Sequence, residues 1–152
     1  MSTTDYLIGK NDFWGSSPES TGGVWIPVLG RVAAGVPIQA IEEIEDYEEI
    51  TTEMARKGEY FALRVKGDSM EPRITDGDVV IVRQQDGCDT GDTAIVIVNG
   101  EEATVKRIKK SPEGLMLIPT NPAYEPLFFS NKEIEQLPVR VIGKVVELRA
   151  KF

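Results

Sequence analysis

The sequence predicts a mainly β domain, a folded sheet or partial barrel with little helix. Three observations lead there. Short runs rich in β-branched and aromatic residues fill the chain from Tyr60 to Arg149. They recur at intervals of about ten residues, the rhythm of all-β sandwiches and barrels. Between two of them stands Asn99-Gly100, a pair suited to a tight hairpin turn whose central residues both need positive φ.

In chain order, residues 1–23 read as a linker, because "NDFWGSSPESTGG" is rich in Gly, Ser and Pro. Residues 24–152 read as the folded domain. The acidic stretch 41–54, "IEEIEDYEEITTEM", is expected to be mostly solvated loop with one helical turn. Strands are expected at 60–66, 78–83, 93–98, 102–110, 115–119 and 139–149. The last, "VRVIGKVVELR", is long, apolar and near the terminus, which suits a final core strand. The sequence shows no internal repeat and no phosphate-binding loop.

Composition narrows the chemistry. The 152 residues carry 25 acidic and 17 basic side chains, a net charge of −8. Without a basic stripe, such a chain is a poor surface for nucleic acid by itself. There is no histidine and one cysteine, Cys88. That composition excludes a Ser-His-Asp triad and disfavours zinc, and no cofactor is expected. A single thiol cannot form an internal disulfide, so a reducing cytoplasm is the expected location and a buried, idle thiol the expected state. No apolar run approaches the ~18 residues of a membrane span. The N-terminus also lacks the basic and apolar blocks of a signal peptide.

The residue that raises a chemical question is Ser69 in "RVKGDSM", at the end of a predicted strand. Gly-Asp-Ser there is ordinary turn chemistry, and Asp68 reads as an exposed turn residue. A serine hydroxyl becomes a useful nucleophile only when a neighbour takes its proton. Without histidine, the substitute is a lysine held neutral by burial. Of the nine lysines, most lie in polar, terminal or glycine-flanked text. Lys106 lies inside "ATVKRI", sharing one strand face with Thr104 and Ile108 by the period of two. It is the best single candidate. A lysine on the solvated face of a strand is the competing reading, and Arg107 beside it is consistent with a wet opposite face.

Several blocks together resemble a known family. "GDSMEPRITDGDVVIV" and "EATVKRIKK" resemble the self-cleaving repressors of the LexA and lambda-repressor type and the related UmuD proteins. "IPVLGRVAAGVPIQA", residues 26–40, resembles their self-cleavage segment, with the Ala-Gly bond at Ala34-Gly35. "IPTNPAYEPL" resembles a later strand and loop of the same family. The resemblance covers about residues 24–152. It implies a LexA- or signal-peptidase-like folded sheet and a Ser-Lys dyad of Ser69 and Lys106. The separation of these two residues is the one expected for the family.

Further implications follow from the resemblance. Residues 30–37 would fold over the site and bring the Ala34 carbonyl to Ser69, with Val32 and Val36 packed around the lysine. The N–H groups of Asp68 and Ser69 would form the oxyanion hole, with Met70 and Thr104 in support. The last strand would help form a homodimer. A RecA filament on single-stranded DNA would stimulate cleavage. "STTDYLIGKND" resembles the close of a phage-type helix-turn-helix domain, so operator DNA would be read by helices absent from this chain. The alternatives are a UmuD-like polymerase accessory protein, or a repressor domain that only dimerises and binds an antirepressor. Signal peptidases share the Ser-Lys logic but need a membrane anchor.

Overall fold

The computed structural model describes residues 23–150. Nine strands are present among them. They are β1 (Gly23–Leu29), β2 (Ile44–Thr51), β3 (Tyr60–Arg64), β4 (Val79–Gln84), β5 (Thr93–Val98), β6 (Thr104–Ser111), β7 (Gly114–Ile118), β8 (Leu127–Ser130) and β9 (Val139–Arg149). Two short α-helices, α1 (Thr52–Ala55) and α2 (Asn131–Gln136), and a 3-10 turn at Ile38–Ala40 interrupt them. The strands lie in one sheet of order β2-β1-β3-β4-β9-β5-β6-β7-β8, with β2 and β8 as its edges. The mainly β expectation therefore holds. No helix among the described residues is long and apolar enough to cross a membrane.

The chain divides into two compact units. Among the described residues the smaller comprises 23–25 and Glu49–Lys57. In it Ile50 is buried, and the Thr51 hydroxyl caps α1 by accepting from the Met54 N–H at 3.1 Å. The larger unit comprises Ile26–Glu48 and residues 58–150, and it holds all the candidate site residues.

The larger unit follows directly from side-chain alternation. On β5, Ile95 joins one buried cluster with Phe61, Leu63, Val80, Val82 and Val105. Its neighbours Ala94 and Val96 join a second cluster with Ile108, Leu115, Leu117 and Val139. Successive side chains point to opposite faces of a strand. Both faces of β5 are therefore covered, and "TAIVIV" is a continuous apolar run for that reason. Burying each large aliphatic or aromatic side chain contributes roughly 1.5–3 kcal/mol. β9 lies between β4 and β5 and pairs antiparallel with both, so it is the middle strand of the sheet.

The predicted hairpin is present. Asn99 has φ 53° and Gly100 φ 75°, and the Glu101 N–H closes the turn on the Val98 carbonyl at 3.0 Å. β5 then pairs with β6, which starts at Thr104 rather than at residue 102. The acidic stretch departs from its expectation. Residues 44–51 form β2 instead of a loop, followed by the single helical turn α1. The physical reason is position. β2 is an edge strand whose side chains are mostly exposed, so its carboxylates stay hydrated while the backbone pairs on one side. Charge on such an edge also opposes pairing with other chains.

Candidate active site

Ser69 is held in a turn built by backbone contacts. Beyond β3 the chain stays paired, the Val65 N–H donating to the Asp78 carbonyl and the Gly77 N–H to the Val65 carbonyl, each at 2.8 Å. It bends at Gly67, which has φ 85°, a region that glycine enters without strain. The Gly67 N–H donates to Asp76 Oδ1 at 2.7 Å. Ser69 follows, half-buried, and Met70 drives its side chain into the Phe61 cluster. The apolar anchor at Met70 and the kink at Gly67 bracket the serine on either side.

Lys106 reaches this turn from β6. Its Nζ lies 3.0 Å from Ser69 Oγ, 2.7 Å from Thr104 Oγ1 and 3.1 Å from the Val105 carbonyl oxygen. Across the strand pair it faces Ala94, which is fully buried. Burial pushes its pKa below the ordinary lysine value, because an ammonium loses hydration there. The nitrogen is satisfied in either state. An ammonium donates to all three oxygens. A neutral amine has two N–H groups and one lone pair. Val105 O can only accept, so one of the two hydroxyls must donate to the lone pair. When that hydroxyl is Ser69, its proton already points at the base.

The surroundings are small and mixed in character. Ser69 lines a cavity of about 70 Å³ together with Leu63, Val65, Met70, Ala103 and Val105 among others. That is room for about two waters. Among the described residues, the amide N–H groups of Asp68, Ser69 and Met70 donate to no acceptor. They are available to a developing negative charge.

The structure brings Ser69, Lys106 and Thr104 together, with Asp68 and Met70 flanking the serine. It does not bring Ala34-Gly35 to them. Ala33, Gly35 and Val36 line a different cavity of about 670 Å³, with Gln84, Ile97, Arg140 and Ile142. No hydrogen bond joins Ala34 or Gly35 to Ser69 or Lys106 among the described residues. Residues 34 and 35 form a turn in which Ala34 is half-buried and Gly35, at φ 81°, is exposed. Val32 is buried in the Phe61 cluster, its carbonyl accepting from the Ala103 N–H at 2.9 Å, and Val36 is 43% exposed. The segment is pinned on one side by Val32. On the other, Ile38 and Ile41 pack against the same cluster.

A second group of contacts had no counterpart in the reading of individual residues. The segment after β7 grips the serine turn through Thr120, Asn121 and Tyr124. The text "IPTNPAYEPL" carried a family signal, but the Thr120 and Asn121 contacts go to backbone carbonyls, which leave no mark in the sequence.

A family model described as Peptidase S24-like matches residues 27–146, most of the chain. The chain belongs to the Peptidase S24-like family. It is thus a LexA- and UmuD-like domain of the serine-peptidase type. The matched span of the S24-like domain contains Ala34, Gly35, Ser69, Thr104 and Lys106. Residues 1–22, with the helix-turn-helix-like text, fall outside both the match and the described residues.

Proposed function

We propose that this chain is the C-terminal part of a LexA- or phage-type repressor that cuts its own backbone between Ala34 and Gly35. The observation that carries the proposal is the 3.0 Å contact of Lys106 Nζ with Ser69 Oγ. It occurs in a half-buried site of a chain without histidine. Neutral Lys106 removes the Ser69 proton as Oγ attacks the Ala34 carbonyl carbon. The N–H groups of Asp68 and Ser69 receive the oxyanion. Collapse breaks the Ala34–Gly35 bond, and the Lys106 ammonium returns the proton to the Gly35 nitrogen. Water, deprotonated by the same amine, then releases Ala34 from Ser69 as a carboxylate.

Small residues suit this substrate. Ala34 brings one methyl group to a narrow site, and Gly35 permits the backbone to bend into it. Because attack is intramolecular, effective molarity is high and control passes to the docking of the segment. The segment must leave its position beside Gln84 and Arg140 to reach Ser69. A partner that prefers the docked form raises the rate by shifting that population. We assign that role to a RecA filament on single-stranded DNA. Homodimerisation of this domain would give the two-fold symmetry needed to read two operator half-sites.

The undocked segment is the observation that favours the second reading, a repressor domain that only dimerises and binds an antirepressor. Incubation with RecA filament at neutral pH separates the two. Self-cleavage predicts fragments 1–34 and 35–152 appearing faster with filament than without. An intact chain with filament present refutes it.

A further inference from the structure

We infer that Asn121 is a positioning residue that aims the Ser69 amide at the oxyanion, with Tyr124 as its support. The inference rests on the reading of Ser69 as the nucleophile. It starts from where the turn's backbone hydrogen bonds go. The Asn121 Nδ2 donates to the Asp68 carbonyl at 2.8 Å, and the Asn121 N–H donates to the Ser69 carbonyl at 3.0 Å. One residue therefore holds both carbonyls that flank Ser69 across its two peptide planes.

Peptide planarity turns that grip into direction. In a trans peptide the C=O of one residue and the N–H of the next point opposite ways in one rigid plane. Fixing the Asp68 carbonyl therefore fixes the Ser69 N–H, aimed away from Asn121. Fixing the Ser69 carbonyl fixes the Met70 N–H in the same way. Both of these N–H groups donate to no acceptor among the described residues. The turn's internal bonds add to the grip, since the Glu71 N–H donates to the same Asp68 carbonyl at 3.1 Å and the Ile74 N–H to the Met70 carbonyl at 3.0 Å.

Asn121 is itself preset. Its Oδ1 accepts from the Ala123 N–H at 2.9 Å, which fixes the amide so that Nδ2 faces the turn. On either side, the Thr120 hydroxyl donates to the Met70 carbonyl and the Tyr124 hydroxyl to the Asp68 carboxylate. Donation to Asp68 raises the Tyr124 pKa, so the phenol keeps its proton. The contacts with the serine turn span fifty or more residues of sequence, so the clamp is tertiary and pre-formed. An oxyanion donor held before reaction costs no reorganisation during it.

The test uses the full chain and its self-cleavage at a series of pH values. Asn121→Asp keeps the Oδ1 acceptor for Ala123 but replaces the donor to the Asp68 carbonyl with a charged oxygen. Asn121→Ala removes both. Each is expected to lower the alkaline plateau rate by about 10- to 100-fold, less than the roughly 100- to 1,000-fold for losing an oxyanion-hole donor outright, because the Ser69 N–H itself remains. The pH midpoint set by Lys106 is expected to stay at its wild-type value in Asn121→Ala, which adds no charge. Tyr124→Phe is expected to lower the plateau less. A wild-type plateau in Asn121→Asp overturns the positioning role and leaves the dyad standing. A rate loss that tracks a fall in melting temperature across the variants also overturns it, because it assigns the effect to folding. If the unsubstituted chain never cleaves, the nucleophile reading fails and the positioning role falls with it.

Discussion

Thr104→Val isolates the control of the base. Thr104 Oγ1 lies 2.7 Å from Lys106 Nζ, and valine nearly matches threonine in shape while removing the hydroxyl. The hydroxyl interacts with both protonation states of the lysine, but unequally. A hydrogen bond to an ammonium contributes about 1.5–3 kcal/mol, and a neutral one about 0.5–1.5 kcal/mol. Its removal penalises the ammonium by roughly 1 kcal/mol more than the amine. The added methyl group makes the site drier, which acts in the same direction. At a fixed pH below the midpoint, about 1 kcal/mol multiplies the neutral fraction by about five. Losing the contact also frees the amine to swing away from Ser69, so the plateau rate falls. The two effects separate in one assay. Self-cleavage is followed by gel densitometry from pH 7 into the alkaline plateau for the full chain and the variant. The ratio of the pH 7 rate to the plateau rate is expected to rise about fivefold in Thr104→Val. A ratio that is unchanged or lower refutes the assignment of Thr104 as a partner of the lysine.

Other parts of the structure carry their own predictions. In Gly114→Ala the added Cβ would lie 2.0 Å from the Phe129 carbonyl oxygen in the paired strand β8, so this variant is expected to lose at least about 3 kcal/mol in urea denaturation. Ser130 caps α2 in a reciprocal box with Glu133, and Ser130→Ala is expected to cost about 1 kcal/mol, about 2–4 °C in melting temperature. The Cys88 thiol is buried and its pKa is raised, mainly by that burial and secondarily by Asp92, so a colorimetric disulfide reagent is expected to label it only as the chain unfolds.

The strands most legible in the sequence include the two that are buried along most of their length. Val79–Gln84 and Thr93–Val98 are continuous β-branched runs because no position along most of their length needs to be polar, whereas Val139–Arg149 is half-buried or exposed over most of its length and was legible from its valines and isoleucine between charged residues. The Asn99-Gly100 turn was equally legible, since few residue pairs enter positive φ together. Edges were harder. β2 is written in carboxylates because it borders solvent, and the same residues in isolation describe a loop. β8 and α2 went unread, although Ser130 and Glu133 stand at the spacing of a capping box.

The candidate site divides along the same line. The period of two placed Thr104 and Lys106 on one face, and the structure holds both against Ser69. Nothing local foretold that Val32 would be buried in the core with its carbonyl engaged, holding the Ala34-Gly35 turn elsewhere. Small residues next to a glycine suit a docked substrate and an exposed turn equally well. The choice between the two states is made by packing at Val32, Ile38 and Ile41, remote from the bond itself.

The central claim is that Ser69 and Lys106 cut the chain that carries them. The most direct measurement is incubation of the purified chain alone at increasing pH, with fragments identified by mass. Because the neutral amine is the base and burial lowers its pKa, the rate should rise with pH and level off below the ordinary lysine range. The account predicts fragments 1–34 and 35–152 in the unsubstituted chain and none in Ser69→Ala or Lys106→Ala. An intact chain at every pH, or fragments persisting in either variant, would contradict it.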